Sequence, residues 1–171
     1  MIIVLKCMQR DIHLNSLNFM ASKNSIIFDE NLYPIAWRFN SDDCSLSDKE
    51  KKEIFFIMSE ESKKLWDSLF PFNNLMDIGR DSFFLKEKKE LDFDDENEVL
   101  IFFEEKLKGV SYLIFFWGRC NCAIVPSYIF LKSWSDFFYP SDENCIAYLV
   151  NKSEVIFSYE ETFFYGSIVN D

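Results

Sequence analysis

VSYLIFFWG, residues 110–118, is a run of β-branched and aromatic residues with apolar side chains at both of its alternating positions. Successive side chains of a β-strand point to opposite faces of its sheet, so a strand that is apolar at both positions is covered on both faces. The segment therefore predicts a central strand that is buried between two layers of the fold.

The sequence on either side of this strand predicts an antiparallel sheet. A hairpin is predicted at about 98–118, because the β-rich segment EVLIFFEEK precedes the central strand and the short connection contains Gly109. A second hairpin is predicted at about 145–160, where CIAYLV and EVIFSYEE are separated only by Asn151, Lys152 and Ser153. Both hairpins are expected in one sheet.

Capping residues and helical spacing predict the helices that cover the sheet. Ser47 and Glu50 match a capping box, and two helices are predicted within about 48–70, ending before Pro71. A further helix is predicted at about 127–138, where helical spacing relates Phe130, Leu131, Trp134, Phe137 and Phe138. The predicted fold class is α+β, with the antiparallel sheet packed against these helices.

Length and composition favour one domain that spans residues 1–171. A chain of 171 residues with 20 phenylalanines can form a dense core, whereas residues 1–24 show no sustained period and are predicted to be an extended arm. No apolar run approaches the roughly 18 residues of a membrane span, and the first residues lack the features of a secretory signal. Five irregularly spaced cysteines do not suggest a disulfide framework, so we expect a cytoplasmic protein.

The formal charge of -11 limits the classes of partner. Nucleic acids and anionic membranes attract clustered Lys and Arg, so direct binding to either is disfavoured, and a basic protein is the expected partner. The segment 88–98 has two interpretations, a solvated charged loop or a contact surface for such a partner. The second interpretation, extended to the turn after the helix at 127–138, gives as partner-binding candidates Asp92, Asp94, Asp95, Glu96, Glu98, Tyr139, Asp142 and Glu143.

The sequence predicts no catalytic, cofactor-binding or metal-binding residue. Its four glycines are isolated, which excludes the glycine-rich phosphate loops, and His13 is the only histidine available for a catalytic triad. Cys120 and Cys122 form a C-x-C pair without a second ligand pair, so they are interpreted as ordinary thiols. Two alternatives stay open: a small cytosolic enzyme that uses carboxylates or Cys120/Cys122, and a regulatory or scaffold domain.

Four short motifs resemble a small bacterial family that is known only as a domain of unknown function. They are Trp37-x-Phe39, Leu46-Ser-Asp48, Leu65-Trp66 and a segment with Trp134, Asp136, Phe137 and Tyr139 to Asp142. This resemblance covers about residues 30–166 and implies no chemistry.

In size and charge, and in lacking catalytic motifs, the chain also resembles the cognate immunity proteins of bacterial toxin delivery systems, including contact-dependent growth inhibition. Those proteins are compact, acidic cytosolic domains that hold one toxin domain, often a basic nuclease, in a stoichiometric complex. The resemblance implies an immunity protein, a monomer or weak dimer, that uses an acidic surface to occlude the active site or substrate groove of its toxin.

Overall fold

A seven-stranded antiparallel sheet organises the computed structural model, which describes residues 28–169 except 80, 94, 140, 143, 160 and 161. The spatial order of the strands is β1-β4-β3-β5-β6-β7-β2. In chain order they are β1 (Phe55–Ile57), β2 (Phe83–Glu90), β3 (Tyr112–Trp117), β4 (Cys122–Pro126), β5 (Cys145–Leu149), β6 (Glu154–Tyr159) and β7 (Thr162–Ile168). The predicted arm at residues 1–24 lies outside the described residues.

Six α-helices and two short 3₁₀ turns accompany the sheet in the described ranges, which confirms the α+β fold class. The helices are α1 (Trp37–Asn40), α2 (Asp48–Lys51), α3 (Ser59–Leu69), α4 (Glu96–Lys106), α5 (Ser127–Lys132) and α6 (Trp134–Phe137). The 3₁₀ turns are Pro34–Ala36 and Leu75–Asp77. Within the part of the chain that is described, no helix is both long and apolar enough to cross a bilayer.

The predicted central strand, β3, lies between β4 and β5 and is covered on both faces. Leu113, Phe115 and Trp117 belong to a large core that includes residues of α4, α5 and α6. Ile114 and Phe116 belong to a second core with Leu65 and Trp66 of α3 and with Phe70, Phe72 and Leu75. The two-sided apolar pattern of residues 110–118 is therefore explained by two separate layers.

The predicted hairpin at 98–118 is wrong, because residues 96–106 form α4. The Asp95 side chain accepts a hydrogen bond from the Glu98 amide at 3.1 Å and caps this helix. Its buried residues, Val99, Phe102, Phe103 and Lys106, follow a helical period that the aromatic content of the segment had concealed. The predicted hairpin at 145–160 is confirmed as the β5–β6 pair.

The predicted helices at 48–70 and 127–138 are each interrupted. The capping box at Ser47 and Glu50 is present, but α2 ends at Lys51, and Phe55–Ile57 forms the edge strand β1 before α3 begins. Phe56 in this strand packs against Phe28 and Phe39, with ring centroids 4.7 and 5.8 Å away. At 127–138 the backbone leaves the helical region at Ser133, which separates α5 from α6.

Candidate functional site

Trp37, at the start of α1, is an exposed aromatic residue with a polar support beneath it. A 3₁₀ turn that begins at Pro34 leads into this helix, and Phe39 inserts into the core while Trp37 stays 47 % exposed. Its neighbours are Arg38 and two residues that follow α6. We call the set formed by Trp37, Arg38, Tyr139 and Asp142 the Trp37 surface.

A bidentate ion pair, with two hydrogen bonds, joins Arg38 to Asp142. Arg38 donates from Nη1 to Oδ2 and from Nη2 to Oδ1 of Asp142, both at 2.7 Å, and the Tyr139 amide donates to Oδ2 at 3.0 Å. Burial alone would raise the pKa of Asp142, but the hydrogen bonds from Arg38 and from the Tyr139 amide hold it below its ordinary value. The pair ties α1 to the turn after α6.

The two aromatic rings of the Trp37 surface rest on this ion pair. The Arg38 guanidinium carbon lies 4.0 Å from the Tyr139 ring centroid and 5.5 Å from that of Trp37. Trp37 and Tyr139 meet edge to face, with centroids 5.9 Å apart. Cation–π and edge-to-face contacts restrain both rings, so the surface is organised before any partner arrives.

Four exposed carboxylates lie close to Trp37 and Arg38 in the sequence. Asp29 and Glu30 precede the 3₁₀ turn, and Asp42 and Asp43 follow α1 directly; all four are exposed. None of the four forms an ion pair with a lysine or arginine among the described residues. Because Asp142 neutralises Arg38, the basic side chain of α1 does not offset these four carboxylates.

The other predicted contact residues lie at the start of α4. Asp92 is exposed and its carbonyl accepts from the Asp95 amide, while Glu96 is exposed in the first helical turn. Asp95 caps the helix, and Glu98 forms an ion pair of 3.1 Å with Lys89. The predicted solvated loop at 88–98 is therefore replaced by the end of β2, a short turn and the start of α4, whereas Asp94 and Glu143 lie outside the described residues.

The two predicted acidic segments adjoin opposite ends of α6. Phe93, in the turn before α4, lies 5.5 Å from Trp134 and stacks on Phe163 at 5.3 Å. Asp142 lies beyond the other end, where Arg38 also donates to the Phe137 carbonyl at 3.4 Å. That both segments contact one partner stays a prediction.

Trp37 and Arg38 were missing from the predicted contact residues. The Trp37-x-Phe39 spacing could have identified Trp37 as an exposed residue. Residues two apart on a helix point in different directions, so when Phe39 enters the core Trp37 does not. The partner of Arg38 could not be inferred, since 104 positions separate it from Asp142.

The C-x-C pair separates into one exposed and one buried thiol. Cys120 is exposed, whereas Cys122 is buried in the core beside α3, where burial raises the pKa of its thiol to about 12. A thiol with this pKa is protonated at neutral pH and is a poor nucleophile. Among the residues described, no group of three His, Cys, Asp or Glu side chains is placed to hold a metal ion.

Comparisons of the chain with family models, with curated proteins and with solved structures gave no match.

Proposed function

We propose that this chain is an immunity protein that binds a cognate toxin domain, a basic nuclease, and neutralises it by occluding its active site or substrate groove. The Trp37 surface is the observation that carries the proposal. It presents Trp, Tyr and Arg, the residue types over-represented among binding hot spots, and it is supported from below by a largely buried ion pair.

Charge would bring the two proteins together. With a formal charge of -11, the chain attracts a basic domain over distances on the order of the Debye length, about 8–10 Å at physiological salt. Exposed carboxylates such as Asp42, Asp92 and Glu96 would form the polar rim of the contact. A nuclease surface that binds phosphates carries the complementary charge.

Trp37 would then supply the desolvated centre of the complex. A lysine or arginine of the partner can stack on the exposed face of its ring, with acidic side chains close by. Asp142 acts indirectly in this arrangement, because its carboxylate is occupied by Arg38 and thereby fixes the position of both rings. Complexes of this kind bury roughly 1,200–2,000 Å² in total.

The proposal is tested by co-purification with the product of the adjacent upstream gene and by rescue of cells that express that product. We expect a one-to-one complex and protection of the cells. Trp37→Ala should weaken binding by about 30-fold or more, as truncation of a hot-spot residue does.

Tyr112→Ala is the matched control. Tyr112 is 55 % exposed, and it lies at the opposite end of β3 from Trp117, which contacts Phe39 of α1 at 5.9 Å. Affinity should change by less than about threefold, since isolated surface aromatics outside an interface contribute little. Absence of any complex, or equal binding by the Trp37→Ala variant, would refute the proposal.

A further inference from the structure

Apolar side chains are exposed at the β2 edge of the sheet. Phe84 is 62 % exposed and Leu85 is 48 % exposed, and Val169, whose amide donates to the Ser82 carbonyl at 3.0 Å, is 42 % exposed. Beside them, an open groove of about 490 Å³ is lined by Met76, Ile78, Phe83, Leu85, Phe157 and Phe164. Phe84 and Val169 lie on one face of the sheet and Leu85 lies with the groove on the other, so apolar side chains are exposed on both faces of this edge.

The outer side of β2 is unpaired within the described ranges, because β2 is the last strand of the sheet and contacts only β7. Its second half carries Lys86, Lys88 and Lys89, and charged residues of this kind normally protect an edge strand from further pairing. Its first half, Phe83 to Leu85, has no charged residue. A β-bulge between Leu85 and Glu87 separates the two halves.

We propose that a second copy of this chain pairs with β2 in antiparallel orientation, with the two-fold axis passing at Phe84. This register places Phe84 opposite Phe84 of the second copy and Phe83 opposite Leu85 of the second copy. Phe83 and Leu85 both line the groove, and Phe84 between them points to the other face of the sheet. The grooves of the two copies then become continuous across the axis.

Charge complementarity supports a second copy of this chain as the partner that pairs with β2. Beyond the bulge the register shifts by one residue, which brings Lys88 toward Asp81 in the turn that precedes β2 of the second copy, twice because of the symmetry. Neither Lys88 nor Asp81 forms an ion pair with any described residue, whereas Lys86 is engaged by Glu154 and Lys89 by Glu98. The new pairs would therefore use charges that are available.

The net charge of β2 also permits the contact. The strand carries three lysines and two glutamates, Glu87 and Glu90, so its net charge is +1, although the whole chain carries -11. Two copies can meet at β2 without bringing their acidic surfaces together. The Trp37 surface stays open in such a dimer, because Phe39 of α1 contacts Phe56 of β1, the strand at the opposite edge.

Sedimentation velocity and light scattering at protein concentrations from about 1 µM to 1 mM test this dimer. The result does not depend on the proposed function, because no toxin domain is present. The mass should rise with concentration from the 20.4 kDa of one chain toward twice that value. Leu85→Lys should remain monomeric throughout, because it places a charge in the apolar part of the interface. Ile101→Lys, at a residue of α4 that is 63 % exposed, should associate as the unmodified chain does.

Charge reversal distinguishes this register from other modes of association. Asp81→Lys and Lys88→Asp should each weaken the dimer by about tenfold, since each replaces two attractions with two repulsions. The double variant should return to within about twofold of the unmodified chain.

A chain that stays monomeric at about 1 mM would overturn the proposal, and so would a double variant that is weaker than both single variants. Loss of toxin binding on Leu85→Lys, with an unchanged monomer mass, would assign the patch to the toxin instead. If the Trp37→Ala variant bound the toxin domain as well as the unmodified chain does, the proposed function would be wrong, but the measured dimerisation would not change.

Discussion

Arg38 and Asp142 hold the Trp37 surface in place through two hydrogen bonds of 2.7 Å, with side chains only 7 % and 16 % exposed. Burial alone would lower the pKa of Arg38, but the hydrogen bonds to Asp142 outweigh it and raise that pKa. Loss of one partner from a buried pair leaves an uncompensated charge behind. The stability of the ion pair and the position of Trp37 are therefore linked.

Asp142→Asn should lower the free energy of unfolding by roughly 3–5 kcal/mol, the cost of breaking a buried pair at one partner. Asp67→Asn is the matched control, because Asp67 accepts two hydrogen bonds from Arg119 at 2.7 and 2.6 Å in an exposed position. Exposed pairs contribute little to stability, because water screens them and two long side chains must be ordered, so Asp67→Asn should lower the free energy of unfolding far less than Asp142→Asn does. Urea denaturation at pH 7 measures both, and equal losses in the two variants would contradict the role given to the buried pair.

The stability difference between the unmodified chain and Asp142→Asn should depend on pH in one direction only. The pKa of Asp142 is lower in the folded protein than its ordinary value of 3.8, so its stabilising contribution is complete above about pH 5 and is lost as the pH falls through the ordinary and then the folded pKa. The stability difference between the unmodified chain and Asp142→Asn should therefore be constant from pH 7 to about pH 5 and shrink below about pH 4. A difference that shrinks above pH 5 would point to another group.

The elements differ in how well their sequences predict them. The β3 strand is apolar on both faces, and the β5–β6 hairpin has a short polar connection, so local signals were sufficient for both. In contrast, EVLIFF suits either a strand or a helix, and the choice depends on the Asp95 cap and on whether residues 99, 102, 103 and 106 share a buried face. At Phe55–Ile57 tertiary packing of Phe56 overrode an apparently helical pattern.

The pairing of β2 with β7 requires a glycine at position 166. A Cβ atom there would lie 2.6 Å from Cζ of Phe83 and also too close to the carbonyl oxygen of Phe84. Gly166→Ala should therefore force β2 away from β7 and reduce stability by about 1–3 kcal/mol, the range for overpacking. Hydrogen exchange should speed up most at the amides of β2, and thermal melts give the stability.

Gly79→Ala provides the comparison for this variant. Among the described residues, a Cβ atom at residue 79 would meet the Ser82 hydroxyl alone, at an ordinary distance of 3.5 Å. Its effect should stay within about 0.5 kcal/mol, as is usual for surface substitutions. If Gly166→Ala has an equally small effect and leaves exchange in β2 unchanged, the close approach of the two strands is wrong.

At the scale of the whole molecule, charge and anchoring make separate contributions to the proposed binding. The charge of -11 belongs to the chain as a whole, whereas the aromatic anchor is confined to the Trp37 surface. Long-range attraction acts mainly on the rate of association, and short-range packing acts mainly on the rate of dissociation. Kinetic measurements can therefore test the two contributions one at a time.

Raising the salt concentration from about 0.05 to 0.5 M should slow association with the toxin domain by tenfold or more and change dissociation little, because salt screens long-range attraction but not desolvated contacts. Trp37→Ala should do the reverse, speeding dissociation by about 30-fold while association at a fixed salt concentration stays within about twofold. Surface plasmon resonance with immobilised toxin domain measures both rates, and Tyr112→Ala serves again as the control. Salt-independent association, or a Trp37→Ala variant altered only in its association rate, would show that charge and anchor do not act separately.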